Sequence, residues 1–79
     1  VRYALVCNES GGILDDVLVS CLEAQDGSTY FLLVVNAGNR AKILSWLQPH
    51  LADFPDVTFR DVSEQTAMIA VQGPRAVEI

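Results

Sequence analysis

The chain has 79 residues, enough for one small domain with one core, since a chain this short buries only about 60–70% of its unfolded surface. Half of it is apolar (51%) and 19% is charged, a balance that excludes intrinsic disorder. Five Lys and Arg against ten Asp and Glu leave a net charge of −5, which opposes association with phosphate backbones and anionic lipid, so neither nucleic acid nor a membrane surface is expected as a partner. No apolar run approaches the roughly 18–20 residues a bilayer requires, and no basic segment with an apolar stretch behind it opens the chain as a secretory leader would.

Residues 2–7 read as a short strand, and the paired glycines of Asn8 to Gly12 supply a turn that returns the chain into a strand at 13–22, together a hairpin. Asp26-Gly27-Ser28 marks the next turn, before a buried strand at 30–36. Asn39 is a plausible N-cap for a helix reaching about Leu51, with Ile43, Leu44, Leu47 and Leu51 as its apolar stripe and Trp46 at the edge. Pro49 removes a backbone donor, so a kink or stop is expected there. Strands are then expected at 57–61 and 66–72, with Gly73-Pro74 opening a further helix. The fold class is thus α+β: a small, mostly antiparallel sheet of about five strands with one to two helices. Its apolar total and a last helix left open at Ile79 lead to the expectation that residues 1–79 are one unit truncated at both ends.

Cys7 and Cys21 lie in apolar segments without the spacing of metal ribbons or redox motifs, which fits buried free thiols in a reducing compartment. Phosphate-binding glycine loops, zinc-protease helices, calcium loops and nucleophile elbows are all absent. His50, the sole histidine, is a half-exposed polar residue on its simplest reading, and with two separated cysteines it makes no convincing metal set.

What stands out is Asp15-Asp16 inside an otherwise apolar strand. Successive strand side chains face opposite ways, so the pair cannot form a facing dyad or share a metal. Asp15 falls in register with Ile13, Val17 and Val19, and Asp16 with Leu14, Leu18 and Ser20; at least one must approach a core-facing surface and needs a partner there. Either one faces solvent while the other accepts hydrogen bonds from the Gly11-Gly12 loop, or one lines a ligand pocket and meets a basic nitrogen. Asn36 ends an apolar strand just before a helix, where its amide either binds a heterocycle or terminates the strand by an Asx-type turn. Tyr3 offers a ring and a hydroxyl, though a strand tyrosine is ordinarily packing.

Three blocks, Tyr3-Ala-Leu-Val-Cys7-Asn8-Glu9-Ser-Gly11-Gly12-Ile-Leu-Asp15-Asp16-Val-Leu-Val19, Leu33-Val-Val-Asn36-Ala37-Gly-Asn39 and Thr66-Ala-Met-Ile-Ala-Val-Gln72-Gly73-Pro74, stand in an order that closely resembles the aminomethyltransferase family, the T proteins of the glycine cleavage system. The resemblance implies the family's folate-binding fold and a parent enzyme that moves the one-carbon unit of the aminomethyl-lipoyl H protein to tetrahydrofolate, releasing ammonia. It further implies that Asp16 is the catalytic carboxylate, that Tyr3, Asp16 and Asn36 hold the folate, and that Val17 to Val19 lie beside its pterin, while Asp15 is structural. Tetrahydrofolate as co-substrate, no metal, and the lipoylated H protein as partner follow from the same resemblance. So does a cytoplasmic location in a bacterium, or the mitochondrial matrix in a eukaryote. Position 20 is Ser where several members carry an aromatic residue, and the family's Gly-Tyr-Thr-Gly-Glu stretch and later arginines have no counterpart in these residues. The 79 residues alone are therefore expected to lack significant transferase activity. Two alternatives use the same residues: a folate-binding module of the kind found in sarcosine and dimethylglycine dehydrogenases or a tRNA-modification factor, or a non-catalytic fragment that forms homodimers through exposed strand edges.

Overall fold

A computed structural model describes residues 1–79. Three strands, β1 (Arg2–Cys7), β2 (Ile13–Glu23) and β3 (Thr29–Val34), form an antiparallel sheet in chain order. The first turn closes through Asn8, whose Oδ1 accepts from the Gly12 N–H at 2.7 Å, the Ser10 N–H at 3.2 Å and the Ser10 hydroxyl at 2.9 Å. Gly11 sits at φ 86°, and a Cβ on Gly12 would come within 3.0 Å of the Asn8 amide. Both glycines are therefore dictated by the turn, one by conformation and the other by close approach.

The hairpin is not a simple ladder. Val6 pairs with Asp15 but Cys7 pairs with Ile13, which leaves Leu14 as the extra residue of a β-bulge. Strict alternation along β2 therefore holds from Asp15 onward and fails before it. Ile13, expected on the Asp15 face, is instead 63% exposed.

Helix α1 (Arg40–Leu47) packs on β2 and covers the sheet face that carries Asp15 and Val17. Val17 and Ile43, each 2% exposed, are the centre of the core, and Leu44, Trp46, Leu47 and Leu51 line it half-buried. The α-helix stops at Leu47 and tightens into a 3₁₀ turn over Gln48–Asp53, as the missing Pro49 donor requires. The opposite sheet face, with Tyr3, Leu5, Leu18, Leu22 and Tyr30, is open.

Two expectations need correction. The sheet has three strands, not five, because residues 57–61 and 66–72 pair with nothing. A strand exists only through a partner's backbone, and the Val57 N–H is already spent on the Phe54 carbonyl in a turn. Asp61 likewise bends the chain, accepting from the Ser63 N–H at 3.0 Å and the Ser63 hydroxyl at 2.6 Å while pairing with Arg40 at 2.8 Å. The expected last helix is a single 3₁₀ turn, Ala76–Glu78, fastened by Arg75 to Glu78 at 2.6 Å.

With so small a core, Ile43→Ala should destabilise the fold by about 2–4 kcal/mol, measured as a shift of the urea midpoint. The hydrogen bonds from Ser63, reinforced by Arg40, push the Asp61 carboxyl down to about 2. A depressed carboxyl stabilises above its ordinary value of 3.8 and loses that contribution as pH falls through the folded value. The thermal midpoint should therefore fall between pH 4 and pH 2 (roughly the span of that shift), with a shallower fall in Asp61→Asn.

Candidate functional site

Adjacent positions on β2 send Asp15 and Asp16 to opposite faces, and their surroundings make them different groups. Asp15 is 4% exposed, the single charged side chain buried in the chain. Burial of an unpaired carboxylate is costly, and the donors come from the junction between β3 and the helical segment, not from the Gly11-Gly12 loop. The Asn36 N–H donates to Asp15 Oδ2 at 3.0 Å, and to Oδ1 come the Asn36 Nδ2 at 2.8 Å and the Asn39 Nδ2 at 2.7 Å. These bonds, led by the Asn36 amide and outweighing desolvation, hold the Asp15 carboxyl below its ordinary value. Asn39, expected as a helix cap, makes no capping bond; its amide is spent on Asp15.

Asp16 lies on the open face and is exposed. Leu5 is its direct partner on β1, which makes Tyr3 the diagonal neighbour, and the Tyr3 hydroxyl donates to Asp16 Oδ2. From the other side Asn36 Nδ2 donates to Asp16 Oδ1 and to the Asp16 carbonyl, both at 2.9 Å. The amide thus meets three acceptors with two hydrogens, one of them shared, and only one orientation of the amide satisfies all three. Each carboxylate oxygen of Asp16 keeps unused acceptor capacity for a ligand.

These residues surround one concavity of about 470 Å³, lined by Tyr3, Asp16, Val17, Leu18, Val34, Val35, Asn36, Ala37 and Met68. All four residues that the sequence singled out, Tyr3, Asp16, Val17 and Asn36, meet there. Val17 is nevertheless almost wholly buried, so its side chain serves the core more than the hollow. An apolar floor with one carboxylate and one amide at its rim suits a flat heterocycle that carries a basic nitrogen. A second, more open hollow of about 580 Å³ lies among residues 72–79. Its charged residues, Arg75 and Glu78, are already paired with each other. Nowhere do three or more His, Cys, Asp or Glu side chains converge as a metal site would need. No helix is long and apolar enough to cross a membrane. Both cysteines are free but exposed, not buried as their apolar segments led one to expect.

The sequence reading missed two contributors. Met68 was assigned to a strand, and its approach to the concavity depends on a long-range return of unpaired chain. Asn39 was legible in principle: Asn36 and Asn39 are three residues apart at the start of a helical turn, a spacing that puts both amides on one side.

Comparison with known proteins places the chain. The family described as the GCVT N-terminal domain matches residues 1–79, and the chain belongs to it. An aminomethyltransferase of Clostridium botulinum is 44% identical over 79 residues, all of this chain and 20% of the relative. An aminomethyltransferase of Geobacillus thermodenitrificans is 47% identical over the same 79 residues, again 20% of its length; that of Geobacillus kaustophilus is 44% identical over 78 residues, 99% of this chain and 20% of the relative. The chain therefore spans about a fifth of the length of the curated relatives it matches. No solved structure is a significant match.

The hydrogen bond to Asp16, with its negative charge, raises the Tyr3 phenol above its ordinary value of 10.0. A raised phenol keeps its proton, and the bond, up to a higher pH than a free tyrosine would. Asp16→Asn should return the ionisation of Tyr3 toward the ordinary range, followed through the Tyr3 ring resonances in an alkaline titration. An unchanged titration would show that the two side chains do not interact.

Proposed function

We propose that this chain is the part of an aminomethyltransferase that receives the reacting end of tetrahydrofolate, with Asp16 as the catalytic carboxylate. The observation that carries the reading is the convergence of Tyr3, Asp16 and Asn36 on one concavity whose floor is apolar. Membership of the GCVT N-terminal domain family and the aminomethyltransferase names of the relatives support it. The dimensions fit as well, for a hollow of about 470 Å³ lies within the roughly 300–1,000 Å³ of small-molecule sites.

In this reading the folate supplies the nucleophilic nitrogen that accepts the one-carbon unit. Asp16 faces that nitrogen and stabilises the positive charge that grows as it bonds to the methylene carbon. Fixed donors from Tyr3 and Asn36 hold the carboxylate in place beforehand, so little reorganisation is needed as charge develops. The half-buried Val34 and Val35 keep water from one side and strengthen that interaction. Asn36 and Tyr3 also bound the heterocycle laterally, the amide through hydrogen bonds and the phenol through its ring. The lipoylated H protein presents the methylene carbon between sulfur and the amine. As the first folate nitrogen bonds to it, the bond to the amine breaks and ammonia leaves. Closure by the second folate nitrogen then breaks the carbon–sulfur bond, the two protons lost from the folate nitrogens going to the ammonia and to the lipoyl thiol.

The test uses the complete protein encoded by the reading frame that carries these residues, supplied with tetrahydrofolate and aminomethyl-lipoyl H protein. Production of methylenetetrahydrofolate is expected, and Asp16→Asn, which keeps shape but removes charge, should lower kcat by about 100-fold or more. A protein without transferase activity, or a fully active Asp16→Asn variant, would overturn the assignment.

A further inference from the structure

Asp15 costs the fold a buried charge. Its carboxylate is nonetheless fully served, by two bonds from Asn36 and one from Asn39. The same Nδ2 atom that donates to Asp15 Oδ1 at 2.8 Å donates to Asp16 Oδ1 at 2.9 Å. One amide therefore links a buried carboxylate on one face of β2 to an exposed one on the other.

We propose that Asp15 and Asn39 are positioning residues that fix the Asn36 amide and, through it, the direction of the Asp16 carboxylate. The inference rests on the reading of Asp16 as the catalytic group. Asp15 grips Asn36 at two points, backbone N–H and side-chain amide, which fixes both the chain entering the helical segment and the rotamer of Asn36. Asn39 supplies the third donor and holds the Asp15 carboxylate in the plane from which it reaches both. A carboxylate is required because every neighbour of Asp15 in this network is a donor and only an ionised acid accepts at both oxygens. In Asp15→Asn one oxygen becomes an NH₂ group facing N–H donors. At Oδ1 that NH₂ makes the Asn36 amide turn and present its own oxygen to Asp16, and at Oδ2 it repels the Asn36 N–H and displaces the backbone that carries the amide; either way the Asp16 carboxylate is pushed off line.

The complete protein is again the material, with kcat and KM normalised to the folded fraction and the Asn36 side-chain amide followed by Asn-selective ¹⁵N labelling. Asp15→Asn should lower kcat by about tenfold to a hundredfold while KM for tetrahydrofolate changes less than about threefold, the signature of lost alignment in place of lost binding. Asn39→Ala, which removes one donor at a half-buried position, should shift the Asn36 amide resonances and lower kcat in the same sense by about two- to fivefold. It carries the test if Asp15→Asn does not fold. A kcat of the folded fraction that stays at the wild-type level in an active protein would overturn the positioning role and leave Asp16 as the catalytic group untouched. A wild-type protein without transferase activity would overturn the functional reading instead. Unshifted Asn36 amide resonances in Asn39→Ala would overturn the positioning whether or not the protein is a transferase.

Discussion

A carboxylate buried between sheet and helix organises this small fold. Asp15 sits at the face of β2 that α1 covers, and its charge is tolerable only because three donors reach it from Asn36 and Asn39. Those donors belong to the segment where the chain leaves β3 and enters the helical turn. Satisfying one charge thereby dictates where the helix begins and how it lies on the sheet. The hydrophobic part of the core, centred on Val17 and Ile43, supplies most of the attraction between the layers but little of their register, since apolar burial has no direction.

Two identical side chains at adjacent positions take different roles because a strand alternates. One step along β2 separates a group that must accept every available donor from a group that retains free lone pairs at the rim of a hollow. The Asn36 amide spans that step, so the buried and the exposed carboxylate share a partner. The setting of Asp16 is for this reason tied to the packing of the core, as it would not be for a carboxylate carried on a loop.

Much of this was legible in the sequence because it is local. The Asn8 to Gly12 turn, the three strands of the first half and the end of the α-helix before Pro49 all follow from residues within a few positions of one another. The strands expected at 57–61 and 66–72 were not formed because β-structure is a property of pairs, and apolar alternation in one segment says nothing about a partner. The partner of Asp15 was misjudged for a related reason. The nearby glycine loop offered donors at short range, but its N–H groups were already claimed by Asn8, and the true donors lie 21 and 24 residues away. The bulge at Leu14 was invisible to a period-two reading, which assumed that Ile13 and Asp15 share a face. Spacing alone left Tyr3, Asp16 and Asn36 each with an ordinary structural explanation, and only family likeness singled them out together with Val17; the four line one concavity because β1, β2 and the end of β3 meet there.

The bulge at Leu14 guards the faces of the two aspartates. A slip of one residue along β2 would exchange the faces of the two aspartates, sending the anchor into solvent and the exposed acid into the core. Leu14 lies between the hairpin turn and Asp15 and takes up one residue of mismatch before the paired stretch from Asp15 to Val19 begins. It works as an expansion joint: changes in loop length can be absorbed ahead of it while the pairing behind it keeps its phase. The hairpin tip, closed through Asn8, and the paired stretch that carries the two aspartates are thereby joined without either having to match the phase of the other.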